Sequence, residues 1–376
     1  MEVESGRRAL GKGSMAYLAL FRKYRPQTFE EMVGQEAVAV TLQNAVRAGR
    51  IAQAYLFAGP RGVGKTTAAR ILAKCLNCQE GPTPTPCNRC ESCQRIAQGS
   101  ALDIVEIDAA SNRGIDDIRN LRESVRYAPA QGRYKFYILD EAHQITADAF
   151  NALLKTLEEP PPKYHFLLTA PASDLLLQTI LSRCRIVRLG ALTTEAVYAY
   201  LQAHFDLPQD TLQTLAEFSE GALGRAVRWA QTLQSPPTDA KGKPMRSELE
   251  ALQGLMRVFE RLGQASLDEA LRLAHDFREA CKALEGGVED RSARAALALG
   301  LEYLIQWYRD SLALPYEEAS LRFASHKKEL SELARRFGSV ERAHDLQAIT
   351  EARRAILGNA NAQIVTEHLF IQLLRM

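Results

Sequence analysis

Short apolar runs alternate with amphipathic helical patterns over the first half of the chain. The apolar runs have the length of buried strands and lie at residues 54–58, 104–107, 136–139 and 166–169. Helical patterns between them include residues 67–76 and 147–157. This alternation predicts an α/β fold in which a parallel sheet is covered by helices.

The strand pattern ends near residue 192. Three short amphipathic helices are then predicted at residues 195–203, 209–218 and 224–233, and a Ser/Pro/Lys/Gly-rich stretch follows them. The rest of the chain has helical spacing throughout, and residues 1–15 have no periodicity. The predicted division is a disordered extension (1–15), an α/β domain (16–190), a small helical domain (191–234), a linker (235–246) and an all-α domain (247–376).

Composition excludes two classes of protein. The chain has 376 residues, 46% of them hydrophobic, and a formal net charge of +2, so bulk charge does not indicate nucleic-acid binding. Seven cysteines are too few and too clustered for a secreted disulfide framework. No apolar run has the roughly 18 residues of a membrane span, and no signal peptide is visible. A cytoplasmic protein is expected.

A phosphate-binding loop follows the first strand. Its pattern, G-x-x-x-x-G-K-T, lies between a strand and a helix, as the P-loop requires. Lys65 is expected to neutralise the β- and γ-phosphates of ATP, and Thr66 to hold Mg²⁺. The expected nucleotide contacts are Gly59, Pro60, Arg61, Gly62, Val63, Gly64, Lys65, Thr66 and Thr67.

Two carboxylates end the third strand. Asp140 suits the Mg²⁺ shell, and Glu141 suits a base that polarises the attacking water. Without the upstream P-loop, an ordinary charged strand end would be an equally good interpretation of these two residues. Thr169, which ends the fourth strand, is a candidate contact to the γ-phosphate or the water, although such threonines often have no function.

Four cysteines have metal-ligand spacing. Cys78, Cys87, Cys90 and Cys93 follow C-x8-C-x2-C-x2-C in a Gly/Pro-rich insert at residues 78–93. Four thiolates favour tetrahedral Zn²⁺ in a structural role, because no coordination position stays open. A redox pair or incidental cysteines are the alternatives.

Arg183 follows a helix-like segment at the far end of the α/β domain. An arginine there can stabilise transition-state charge on a neighbouring subunit's nucleotide. The alternative from spacing alone is a surface arginine in a salt bridge.

These motifs resemble the gamma/tau subunits of the bacterial DNA polymerase III clamp loader, which are AAA+ proteins. The resemblance covers residues 17 to about 185. It is carried by the P-loop, the four cysteines and the stretches Arg22-Lys23-Tyr24-Arg25-Pro26, Val33-Gly34-Gln35-Glu36, Glu106-Ile107-Asp108-Ala109-Ala110-Ser111, Leu157-Glu158-Glu159-Pro160 and Ser182-Arg183-Cys184.

The resemblance implies an AAA+ domain with a zinc insert, a helical lid (191–234) and an oligomerisation collar (247–376). It implies ATP hydrolysis that loads a sliding clamp onto primer–template DNA, within a hetero-oligomer expected to be a pentamer. Arg183 matches the family's arginine finger, which acts in trans. Polymerase chemistry is not expected from this chain. Nor is tau-type bridging, because the long extension of tau is not seen.

Two features resemble the delta-prime subunit instead. They are Gly224-Arg225-Ala226 in the predicted lid and Gly358-Asn359-Ala360-Asn361 before the last helix. They leave open whether Arg225 senses nucleotide. The alternative function is therefore a delta-prime-type scaffold that donates Arg183 but turns over little ATP. Another AAA+ machine, such as a branch-migration motor, is a more distant alternative, against which the cysteine insert speaks.

Overall fold

The computed structural model describes residues 25–109, 121, 125, 128–158, 161–234, 248–282, 284, 290–316 and 319–375. The predicted extension and linker lie outside these residues, as do Arg22, Lys23, Tyr24, Ala110, Ser111, Glu159 and Pro160. The chain divides into two compact units. The first runs to Thr193 and includes Gly221–Arg225, and the second comprises Thr194–Glu220 and Ala226–Met376.

The first unit contains a five-stranded parallel sheet. Its strands are β1 (Ala54–Ala58), β2 (Ile104–Asp108), β3 (Lys135–Asp140), β4 (Tyr164–Ala170) and β5 (Arg185–Arg188). They lie in the order β2-β3-β4-β1-β5, and every pair is parallel. The carboxyl ends of β3, β4 and β1 therefore meet at one edge. The first four strands confirm the predicted sheet, whereas β5 was not predicted.

Helices cover both faces of this sheet. They are α1 (Glu36–Arg47), α2 (Lys65–Asn77), α3 (Glu91–Gln98), α4 (Ala147–Glu158) and α5 (Gln178–Leu181). Alternate residues of each strand point to opposite faces. Phe57 and Phe136 pack in one buried apolar cluster with α2, while Leu56 and Leu139 pack in another with Phe150 of α4. The expected α/β fold class is confirmed.

Helices form the second unit. Their bounds are α6 (Thr194–His204), α7 (Gln209–Phe218), α8 (Leu223–Gln234, which begins in the first unit's segment), α9 (Glu248–Arg261), α10 (Ala270–Cys281), α11 (Asp290–Ala313), α12 (Lys327–Arg336), α13 (Ser339–Leu357) and α14 (Ala362–Leu373). Aromatic rings build its core: Phe218 lies 4.8 Å from Tyr303 and 5.3 Å from Phe323, centroid to centroid.

This second unit draws on both the predicted lid and the predicted collar. Their separation into two domains stays a prediction. Among the described helices, none has both the length and the apolar character that crossing a membrane requires.

Candidate nucleotide and metal sites

The P-loop joins β1 to α2, and close backbone approaches explain its glycines. The Gly59 amide donates to the Ala170 carbonyl at 3.1 Å, and a Cβ on Gly59 would lie 2.2 Å from the Leu189 carbonyl oxygen. Gly62 and Gly64 have φ of +87° and +104°, which L side chains rarely adopt. Side chains at these positions would displace the loop from the end of the sheet.

Lys65 is buried at the start of α2. Its Nζ donates to the carbonyls of Gly59 and Pro60 at 2.8 and 2.9 Å. Burial lowers the pKa of the ammonium, and the carboxylates of Glu141 and Asp140 partly oppose that effect. The loop therefore holds a cation at the place where phosphate oxygens are expected to bind.

Two hydroxyls converge on one carboxylate oxygen. Thr66 donates to Asp140 Oδ1 at 3.0 Å, and Thr169 donates to the same oxygen. Because β3 and β4 are neighbours, their carboxyl ends bring Asp140 and Thr169 together, while α2 supplies Thr66. Hydroxyl and carboxylate oxygens are ligands that suit Mg²⁺. The predicted residues Thr66 and Asp140 thus fit a magnesium site.

Glu141 leaves the sheet with φ of +51°, an uncommon conformation for a non-glycine residue. Its amide donates to the Thr169 hydroxyl at 3.1 Å, so one threonine contacts both acidic residues. Its carboxylate lies 3.6 Å from His143 Nδ1. No role for His143 follows from the sequence alone, because the motif does not show that the chain folds the imidazole back towards Glu141.

The segment Gly221–Arg225 lies against the P-loop within the first unit. The Gly224 amide donates to the Gly62 carbonyl at 3.0 Å. A Cβ on Gly62 would also lie 3.1 Å from the Ala222 Cβ. The backbone of Arg225 is therefore close to the loop, and contact between its side chain and nucleotide stays a prediction.

Arg183 lies far from this P-loop. It precedes β5, whose Arg185 pairs with Tyr55 near the amino end of β1, whereas the P-loop follows the carboxyl end. Its Nη1 donates to the Thr179 carbonyl at 2.6 Å, and its Nη2 forms an ion pair with Glu158. The structure thus brings together all the predicted P-loop and strand-end residues but not Arg183.

The four predicted zinc ligands form one cluster. Their sulfur atoms all lie within 4.8 Å of one another, and a tetrahedral site with Zn–S bonds of about 2.3 Å places sulfurs about 3.8 Å apart. Cys78 directly follows α2, and Cys90 caps α3, whose Cys93 amide donates to the Cys90 sulfur at 3.5 Å. Backbone N–H donors lower the pKa of Cys87 to about 7, which favours a thiolate. The cluster is compatible with zinc.

The P-loop between β1 and α2, with Asp140 at the end of a neighbouring strand, defines a P-loop nucleotide-binding domain. Known proteins resemble part of this chain in sequence. A family described as "DNA polymerase III, delta subunit" matches residues 34–193. DNA polymerase III subunit tau of Escherichia coli is 49% identical over 218 residues, which cover 57% of this chain and 34% of that protein. The tau subunit of Bacillus subtilis is 44% identical over 218 residues, covering 57% of this chain and 39% of that protein.

One solved structure, a DNA polymerase III gamma subunit-related protein from Thermotoga maritima, has a TM-score of 0.41 and 17% identity, covering 89% of this chain and 98% of that one. The resemblance to gamma/tau subunits that the motifs indicated is confirmed by the two curated relatives. The chain spans little more than a third of the length of those relatives.

Proposed function

We propose that this chain is an ATP-hydrolysing subunit of a bacterial DNA polymerase III clamp loader, which places the sliding clamp on primed DNA. The observation that carries the proposal is the convergence of Thr66 and Thr169 on Asp140 beside the buried Lys65. Similarity to proteins named as tau subunits supports the choice of clamp loader among P-loop machines.

The site residues have separate tasks. Bound Mg²⁺ would neutralise charge on the β- and γ-phosphates of ATP. Thr66 and Asp140 are the residues that would hold it. Lys65 binds phosphate oxygens, and Glu141 orients the attacking water and accepts its proton. The Thr169 hydroxyl positions both acidic residues, because it donates a hydrogen bond to the Asp140 carboxylate and accepts one from the Glu141 amide.

Arg183 acts on a neighbouring subunit. It lies at the opposite end of β1 from the P-loop, and five residues of strand span about 13 Å at roughly 3.3 Å per residue. Thus Arg183 does not reach the nucleotide of its own chain. Its ion pair with Glu158 is partly solvated, so exchanging Glu158 for a phosphate costs little.

The wider function is inferred from the same resemblance. The chain works in the cytoplasm within a hetero-oligomer, which we expect to be a pentamer, assembled through the collar at residues 247–376. Contacts to primer–template DNA go to phosphates and are therefore weakened by salt. Zinc is structural, and DNA polymerisation belongs to another subunit.

A delta-prime-type scaffold is not favoured. Such a subunit needs neither residues that hold Mg²⁺ nor a general base. In this chain, the four residues with these tasks all lie at one edge of the sheet: Lys65, Thr66, Asp140 and Glu141. The Gly224-Arg225-Ala226 segment that resembles delta-prime contacts the P-loop through the Gly224 amide, and it replaces none of these four residues.

Steady-state ATP hydrolysis tests the proposal, measured with the chain alone and with partner subunits, the clamp and primed DNA. Lys65→Ala should abolish stimulated turnover because phosphate charge is no longer neutralised. Arg183→Ala should lower it by a factor of about 10³ or more while leaving nucleotide affinity of the isolated chain unchanged. Arg47→Ala, which removes an exposed arginine of α1, serves as the matched control and should keep full activity.

Background turnover by this chain, together with activity of the assembled complex that Lys65→Ala leaves unchanged but Arg183→Ala lowers, would instead establish the scaffold function. Loss of nucleotide binding by the isolated Arg183→Ala chain would contradict the assignment in trans.

A further inference from the structure

The sheet of the first unit ends in an exposed edge. Strand β5 hydrogen-bonds only to β1 within the described sheet, so its other side has no neighbouring strand there. An unpaired edge presents a row of alternating N–H donors and C=O acceptors, to which an extended segment can add as a further strand.

The register identifies the outward-facing groups. The Leu189 amide donates to the Ala58 carbonyl of β1, and backbone groups alternate sides along a strand. Leu189, Val187 and Arg185 therefore direct their amides to β1, whereas Ile186 and Arg188 direct theirs outward. Among the described residues, no hydrogen-bond partner is seen for the backbone N–H or C=O groups of Ile186 and Arg188.

A groove of about 900 Å³ runs beside this edge, between β5 and α1. The α1 side presents small or uncharged residues such as Thr41 and Asn44, which leave room for a backbone. The charged residues lining the groove are Arg50, Arg185 and Arg188, and its lining contains no carboxylate. All three arginines are exposed, and within the described part of the chain none has a carboxylate at ion-pair distance.

We infer that this groove binds an extended acidic peptide segment of a partner protein, which adds to β5 as a sixth strand. The peptide's backbone pairs with Ile186 and Arg188, and its carboxylates meet Arg50, Arg185 and Arg188. This surface goes beyond the proposed function, since it touches neither the P-loop nor Arg183.

Two other occupants fit less well. A second copy of this chain, paired edge to edge, would bring the arginines of both β5 strands together, and like charges oppose that pairing. A nucleic-acid phosphate would satisfy the arginines, but it offers no donors for the outward carbonyls of Ile186 and Arg188. A peptide backbone supplies both donors and acceptors.

To test this inference, random linear peptides displayed on phage are selected for binding to the full chain, and one selected peptide is synthesised with a fluorescent label. Fluorescence anisotropy then gives the affinity of this peptide for the wild type and for three variants. Ile186→Pro removes an outward amide, and proline is tolerated at such edge positions. The double change Arg185→Glu with Arg188→Glu reverses the groove charge. Arg47→Glu reverses an exposed α1 arginine outside the groove lining and serves as control.

We expect selected peptides rich in Asp and Glu, with acidic residues on both faces of the added strand, because Arg185 and Arg188 lie on opposite faces of the sheet. Affinity should fall about tenfold, or about 1.4 kcal/mol, for the double charge reversal and for Ile186→Pro, but not for Arg47→Glu. Binding should also slow hydrogen exchange of the Ile186 and Arg188 amides. Unchanged melting temperature and nucleotide affinity would establish that each variant is folded.

Three outcomes would overturn the inference. In the first, the selected peptides are not enriched in Asp and Glu. In the second, Ile186→Pro leaves peptide binding intact and DNA oligonucleotides displace the peptide. In the third, the wild-type chain forms a dimer that Ile186→Pro dissociates. The second would indicate a phosphate site, and the third a self-association edge.

Discussion

Replacing Thr169 by valine removes a single hydroxyl at the centre of the candidate site. Valine has nearly the same shape, so the change creates no cavity in the fully buried position. It deletes one hydrogen bond to the Asp140 carboxylate and one from the Glu141 amide. The variant therefore isolates polar contacts from packing.

The magnitude follows from these two contacts. A neutral hydrogen bond contributes about 1 kcal/mol, and one to a charged group about 1.5–3 kcal/mol. Asp140 is only partly buried, so water replaces part of the lost contact. We expect the first unit to lose roughly 2 kcal/mol of stability. If the same contacts position Asp140 and Glu141 during turnover, kcat should fall by a similar factor, about 30-fold.

The assay must report on the correct unit. Both tryptophans, Trp229 and Trp307, belong to the second unit, so tryptophan fluorescence would miss the effect. Hydrogen exchange of the amides of Leu139 and Leu168, which are buried neighbours on β3 and β4, reports on the sheet directly. Thr169→Ser, which keeps the hydroxyl, is the matched control.

Thr169→Ser should stay within about 1 kcal/mol of the wild type and retain most activity. If the serine and valine variants exchanged these amides at equal rates and hydrolysed ATP equally, the hydroxyl would have no positioning task. The reasoning about Asp140 and Glu141 would then be refuted.

Three further predictions test other parts of the chain. Gly59→Ala should cost the first unit about 2 kcal/mol or more in chemical denaturation followed by hydrogen exchange, because its Cβ meets the Leu189 carbonyl; Gly190→Ala, whose Cβ meets nothing within 4 Å, should be nearly neutral, and equal effects would contradict the close approach. The purified chain should contain about one zinc ion by atomic emission, and Cys87→Ser should lower both the zinc content and the melting temperature; full-length chain that stays metal-free yet equally stable with added zinc would contradict a structural site. Burial raises the pKa of Asp345 to about 7, so its neutral form is favoured when folded and stability should fall by about 1–2 kcal/mol, after solvent screening, as pH rises from about 4 to 7. Asp345→Asn should flatten that decrease in urea titrations, and an unchanged pH profile would count against the assignment.

The predictable parts of the fold are those where one local pattern determines the outcome. Strands β1, β3 and β4 were predicted because each contains a run of buried apolar residues. Strand β2 was predicted from Ile104, Val105 and Ile107, which are only partly buried. Strand β5 was missed because its Arg185 and Arg188 are exposed at the sheet edge, and an arginine-flanked pair of apolar residues has no strand periodicity. Helix α3 was missed because its cysteines were interpreted only as loop ligands, although Cys90 also serves as its N-cap.

The orientation of side chains could not be predicted in the same way. Sequence motifs identified Thr66, Asp140 and Thr169 separately, and the sheet register brings them together. The sequence around Arg183 did not show that its guanidinium forms an ion pair with Glu158, which lies 25 residues earlier in the chain. Such contacts depend on the relative positions of two elements in the folded chain. The spacing of residues along one element does not determine those positions.

Helix α2 shows how the two candidate sites are built on one element. Its first residue is the P-loop Lys65, and the residue after its end is the zinc ligand Cys78. Thirteen helical residues separate the sites by about 20 Å. Near its carboxyl end, the buried polar residues Lys74 and Asn77 donate to the backbone of Gln27 and Tyr134, and these hydrogen bonds offset the cost of burying them.

A prediction based only on apolar residues would not expect Lys74 and Asn77 in a buried helix. Their hydrogen bonds nevertheless fix the position of α2 against neighbouring loops. Only Thr66 and Arg70 of the helix are not buried, so rotating it would break contacts on nearly every side. Zinc bound by the cysteines at one end would therefore stabilise the same helix that presents the P-loop Lys65 at the other end. Loss of zinc should weaken nucleotide binding through helix position, without any contact between metal and nucleotide.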